Sequence, residues 1–119
     1  MDDDRPIFQQ VAALIENAVI DGSLAEETQV PSTNALAAYH RINPATAGKG
    51  VNQLVADGVL YKRRGIGMFV ATGARAALRE RRRRDFATRY VGPLVAEAHK
   101  LGIETEELKK MIDNWVRPA

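Results

Sequence analysis

The stretch "PSTNALAAYHRINPATAGKGVNQLVADG", residues 31 to 58, decides the fold. Its second half places Ala47, Val51, Leu54 and Val55 at i, i+4, i+7 and i+8, the spacing of one helical face. Asn43 followed by Pro44 starts that helix: the asparagine oxygen accepts an orphan N–H, and proline has no N–H to leave unsatisfied. Gly58 stops it. The first half offers Pro31 or Ser32 as a start and carries Leu36, Ala37 and Tyr39 along two turns. "HRI" leaves room only for a tight connection. Gly48 and Gly50 interrupt the second helix, each at a cost of roughly 0.5 to 1 kcal/mol relative to alanine. Gly48 is expected to face outward and Gly50 to permit close packing.

Upstream, "PIFQQVAALIENAVIDG" aligns Ile7, Val11, Leu14, Ile15, Ala18 and Val19 on one face and ends at Gly22. "SLAEETQV" reads as a loop with a brief extended segment at Gln29 and Val30. Downstream, "VLYK" and "GMFVA" flank "RRGI", whose glycine supplies the positive φ of a hairpin turn. From Gly73 a long helix begins, rich in arginine and then apolar, with a kink or break expected at Gly92 and Pro93. Thr105 is expected to cap a last helix that opens with Glu106 and Glu107. Tyr39, Tyr61 and Phe69 are assigned to the core. The fold class is mainly α with a small β-hairpin: a winged helix-turn-helix domain over residues 1–72, then a short helical element over 73–119.

The 119 residues suffice for one compact domain with an extension. Cysteine is absent, which removes disulfides, thiolate metal sites and a cysteine nucleophile. His40 and His99 sit in no metal-ligand spacing, and no phosphate loop or nucleophile elbow stands out, so no catalytic residue, metal or cofactor is expected. No apolar run approaches the roughly 20 residues that span a bilayer, so a cytoplasmic location without membrane contact is expected. The net charge of +2 hides an asymmetry. Residues 1–40 carry one cation against seven carboxylates, whereas residues 41–89 carry twelve against three. A central block of that kind fits a polyanion partner.

Two helices joined by a tight turn, then a hairpin with a basic tip, form a pattern whose second helix fits the DNA major groove while the tip reaches the neighbouring backbone or minor groove. Candidate contacts on the helices are Ser32, Thr33, Asn34, Arg41, Asn43, Ala45, Thr46, Gly48 and Lys49. On the hairpin they are Lys62, Arg63, Arg64, Gly65 and Gly67. Thr46 can bond a phosphate or base, and Ala45 can touch a thymine methyl. In the arginine run from Arg79 to Arg84, consecutive side chains spread around the helix, so they cannot all face one duplex. The C-terminal apolar residues Phe86, Tyr90, Leu94, Leu101, Leu108, Met111, Ile112 and Trp115 exceed what thin helices bury among themselves, which predicts a twofold dimer.

The stretches "PIFQQVAALIENAVIDGSL", "VPSTNALAAYHRINPATAGKGVNQLVADGVL" and "YKRRGIGMFVA" resemble the GntR family of bacterial transcription regulators, and "INPAT" with the short C-terminal part is similar to the YtrA subfamily. The resemblance is nearly continuous over residues 6 to 71. It implies a C-terminal dimerisation element, an operator in double-stranded DNA and, often, target genes for ABC-type transporters. Asn34 stands where members usually carry a phosphate-binding arginine, Gly48 where recognition helices often carry Arg or Ser, and Ala45 where the subfamily often has a polar residue. The reading is a sequence-specific homodimeric DNA-binding regulator, a repressor on a palindromic operator, without enzymatic activity. A small-molecule effector stays open, since no polar cluster demands one. The rivals are a winged-helix protein-interaction scaffold and a nonspecific architectural DNA binder.

Overall fold

Residues 4–118 are described by a computed structural model; the first three residues of the expected DNA-binding domain and the final residue of the C-terminal element lie outside them. Helix α1 (Ile7–Asp21) ends where Gly22 turns left-handed at φ 87°. Its buried residues are Gln10, Val11, Ala12, Ile15 and Val19, and Gln10 Nε2 donates to the Arg5 carbonyl at 2.8 Å. The expected stripe is therefore rotated. Ile7 and Leu14 fall at its edge and stay more than two-fifths exposed, because burial centres between Ile15 and Val19.

Helix α2 (Thr33–His40) starts at Ser32, whose Oγ accepts the Ala35 N–H at 3.0 Å. Only Leu36 and Ala37 are buried in it. Tyr39, expected in the core, is 84% exposed, its ring perpendicular to that of His40 with the centroids 4.9 Å apart. A two-turn helix has one inward side, and Leu36 and Ala37 occupy it. Arg41 adopts φ 56°, an uncommon left-handed conformation for a residue with a side chain, and so turns the chain tightly into α3. Ile42 then packs against the core.

Helix α3 (Pro44–Ala56) begins as the sequence predicts, with Asn43 Oδ1 accepting the Ala45 N–H at 2.7 Å and Pro44 in the first turn. Ala47, Gly50, Val51 and Leu54 are its buried face. A Cβ at Gly50 would lie 2.6 Å from the Phe8 carbonyl oxygen and 3.2 Å from Val11, so glycine here permits the close crossing of α1 and α3. Gly48 does not face outward as expected. It is half-buried, and a Cβ there would touch Thr33 Cγ2 at 3.5 Å, on the seam between α3 and α2.

Strands β1 (Leu60–Arg63) and β2 (Gly67–Val70) pair antiparallel, with Leu60 opposite Val70 and Arg63 opposite Gly67. The extended segment at Gln29 and Val30 flanks β2: Gln29 bridges Phe69, and the Val30 N–H donates to the Met68 carbonyl at 2.9 Å. Phe69 is buried as expected, whereas Tyr61 is only half-buried. Helix α4 (Ala74–Phe86) buries Ala74 and Leu78, and the first compact unit runs through Glu80, eight residues past the boundary read from the sequence.

The second unit starts at Arg81. No break occurs at Gly92 and Pro93. Instead a π-helical turn (Ala87–Val91), closed by the Gly92 N–H on the Ala87 carbonyl, leads directly into α5 (Gly92–Lys100), with Pro93 in its first turn. The wider turn absorbs the hydrogen bond that proline cannot donate. Helix α6 (Thr105–Val116) has Glu104 at its N-cap without a side-chain bond, so Thr105 is the first helical residue and not the expected cap. Among the described residues no helix is long and apolar enough to cross a membrane.

Candidate nucleic-acid interface

The recognition surface begins with two helix N-termini. An α-helix start exposes N–H groups and carries a partial positive charge, which suits it to phosphate. In α2 the Ser32 hydroxyl caps Ala35, leaving exposed Asn34 and half-buried Thr33 on the first turn. Thr33 and Gly48 meet across the seam, which sets the start of α2 beside the second turn of α3.

Along α3, Ala45, Lys49 and Asn52 are exposed at i, i+4 and i+7, opposite the buried face. Thr46 is half-buried beside them. Lys49 is exposed, and its Nζ lies 4.1 Å from the centroid of the Phe8 ring of α1, a cation–π contact. Asn43 has its oxygen engaged in capping, which leaves its NH₂ group as the outward donor. Arg41, in the turn, is exposed. Asn52, outside the candidates read from the sequence, continues the exposed face that Ala45 and Lys49 begin at i, i+4, i+7 spacing.

In the hairpin, Lys62, Arg63, Arg64, Gly65 and Ile66 are exposed. The Arg63 guanidinium lies 4.7 Å from the centroid of the Phe69 ring, and the Ile66 N–H donates to the Arg63 carbonyl at 2.9 Å, closing the turn. Gly65 takes φ 77°, which a β-branched side chain would strain. The base of the hairpin is tied to the loop before it. The Tyr61 and Thr72 hydroxyls both donate to the Glu27 carboxylate, and these bonds hold the Glu27 carboxyl below its ordinary value. The same bond raises the Tyr61 hydroxyl above its usual value. At the end of α1, hydrogen bonds from Ser23 likewise lower the Asp21 carboxyl.

The structure thus gathers the helix candidates around the α2–α3 seam and sets Lys62, Arg63, Arg64 and Gly65 on one exposed tip, whereas Gly67 is half-buried against the Gln29 side chain. In the second unit, seven of the expected interface residues, Phe86, Tyr90, Leu94, Leu101, Met111, Ile112 and Trp115, are exposed, with Trp115 at 88%. Leu108 is half-buried. Among the described residues no group of three or more His, Cys, Asp or Glu is arranged to hold a metal ion.

Comparison with known proteins agrees with this geometry. The family model for bacterial regulatory proteins of the gntR family matches residues 7–70. The chain is 26% identical over 107 residues to the HTH-type transcriptional repressor YtrA of Bacillus subtilis (strain 168), covering 90% of this chain and 82% of that protein. The crystal structure of a transcriptional regulator from Oenococcus oeni superposes with a TM-score of 0.76 at 27% identity, over 98% of this chain and 95% of that one. The DNA-binding domain of AraR, in a crystal structure with operator ORX1, matches at a TM-score of 0.54 and 30% identity, over 56% of this chain and 81% of that one.

Proposed function

The chain belongs to the GntR family of bacterial regulatory proteins and is a DNA-binding transcription regulator, and from that premise we propose that it is a homodimeric repressor of a palindromic operator. The observation that carries the reading is the capped α2–α3 pair followed by a hairpin whose exposed tip holds Lys62, Arg63 and Arg64. In it, Ala45, Thr46 and Lys49 meet base edges and phosphates in the major groove, joined by Asn52. Ser32, Thr33, Asn34, Arg41 and Asn43 contact the sugar-phosphate backbone, and Lys62 to Arg64 with Gly65 and Gly67 form the wing contact. Half-buried Gly48 offers its backbone rather than a side chain on the same stretch of α3. Repression is supported by the likeness to the YtrA repressor. Control of transporter genes is proposed on the subfamily resemblance alone, and a small-molecule effector stays an open partner.

The work divides between the two parts assigned from the sequence, DNA contact by residues 1–72 and dimerisation by 73–119. Two copies paired through the exposed apolar residues of the second part would present two α3 helices to half-sites about 10 bp apart, or a multiple of that. The test is a titration, over a range of salt concentrations, of the duplex that the wild-type chain enriches from a random pool, against a scrambled duplex of the same composition. The expected result is a large affinity ratio and a steep salt dependence, each neutralised phosphate contributing roughly −0.9 to the log–log slope. Lys49→Ala and Arg64→Ala should each lower that slope by about 1 with the fold intact. Equal affinity for both duplexes would favour an architectural binder, and no binding to either a protein-interaction scaffold.

A further inference from the structure

Ile66 sits where a surface charge is the ordinary choice. It is a large apolar side chain, 56% exposed, at the tip of a hairpin whose neighbouring side chains are Arg63 and Arg64. Its backbone is fixed from both ends: the N–H donates to the Arg63 carbonyl at 2.9 Å, and the carbonyl accepts from Gln29 Nε2 at 2.9 Å. Gly65 at φ 77° and Gly67 at φ 146° flank it, conformations that side chains rarely adopt, so Ile66 is the one side chain between two turning points. Gln29 reaches this tip from the segment beside β2. A Cβ on Gly67 would lie 2.5 Å from its Nε2, so the carboxamide lies flush against the glycine. The backbone of Gln29 is held independently through its bridge to Phe69.

A fixed apolar point among cations is complementary to a surface that is anionic at its rims and apolar between them. The minor groove of a DNA duplex has that character, with phosphates at its edges and deoxyribose faces as its walls. We infer that Ile66 is an apolar DNA-contact residue that enters the minor groove, and that Gln29 is the positioning residue that holds it there. The inference rests on the DNA-binding reading above and adds a source of sequence preference to it. An apolar tip is disfavoured by the amine that guanine projects into the minor groove, and A-tracts narrow that groove around a small insert. The wing therefore favours A·T over G·C pairs where it lands, without hydrogen-bonding a base.

The experiment keeps the enriched half-sites constant and varies only the flanking pairs, A·T against G·C, with the full-length wild-type chain, Ile66→Ser and Gln29→Met. Methionine matches glutamine in length and lacks the donor. The wild type is expected to bind the A·T-flanked duplex roughly five- to tenfold more tightly. Both variants should bind the two duplexes equally, while keeping the melting temperature and the wild-type discrimination against altered half-sites. Absence of a flank preference in the wild type, or its persistence in Ile66→Ser, overturns the contact. Persistence in Gln29→Met alone overturns the positioning role. Failure of the wild type to enrich any duplex overturns the underlying DNA reading instead.

Discussion

The two units of this chain differ in what their apolar residues touch. In the first, Val11, Ile15, Val19, Val51, Leu54, Leu60, Val70 and Leu78 are each 5% exposed or less and form one core cluster. In the second, Ala98 is the buried hydrophobic residue among those described, while Phe86, Tyr90, Leu94, Met111 and Trp115 stand in solvent. Exposed single apolar residues are ordinary, but this many on one short element mark an interaction surface. The first unit is thus accounted for within the chain, and the second calls for a partner. Under the proposed function that partner is a second copy of the chain.

The sharpest way to break this comparison is to cut one large side chain in each unit. Leu54→Ala, at a residue 1% exposed, should cost about 2–5 kcal/mol of stability, read by chemical denaturation. Trp115→Ala should leave the melting of the first unit within about 0.5 kcal/mol and weaken self-association by at least about 2 kcal/mol, read by sedimentation. If Trp115→Ala instead melts the first unit and leaves association unchanged, the division of roles is wrong.

The two glycines of α3 sharpen the comparison within the first unit. Gly50→Ala forces a Cβ against the Phe8 carbonyl and should destabilise by about 1–3 kcal/mol. Gly48→Ala meets only ordinary contact with Thr33 and should stabilise by up to about 1 kcal/mol. Weaker DNA binding in a more stable Gly48→Ala would mark Gly48 as a residue kept for backbone approach. A Gly50→Ala chain that melts at or above the wild-type temperature would contradict the packing described for the α1–α3 crossing.

The smallest effect expected is a pH dependence at the hairpin base. Glu27 has a folded pKa below its ordinary value of 4.5, so its bonds to Thr72 and Tyr61 add stability above that value. That contribution is lost as pH falls through the folded pKa. The difference in melting between wild type and Glu27→Gln should therefore be present at neutral pH and shrink below pH 4.5. A difference that does not change with pH would remove the carboxylate from the account.

Much of the fold was legible because helix ends are local chemistry. Gly22, Ser32 and the Asn43–Pro44 pair each act on N–H or carbonyl groups within a few residues, and each does so in the structure. Facing was less legible. Tyr39, Ile7 and Leu14 lie within helical spacing of core residues, yet which edge of a stripe is covered depends on the neighbour that packs there. Pro93 signalled a kink or a break; the chain stays helical there through a π-helical turn, and nothing in the residue pattern distinguishes these outcomes. At the candidate site, basic side chains were visible as charge, whereas the bond from Gln29 to Ile66 joins residues 37 positions apart and is set by sheet register.

The central claim is that the first unit contacts DNA while the second pairs two copies. Sedimentation equilibrium of the wild-type chain with the enriched duplex measures it directly, through the mass of the complex. Two chains on each palindromic duplex, falling to a weaker one-chain complex with Trp115→Ala, is the predicted result. One chain on each duplex at saturation in the wild type would contradict it.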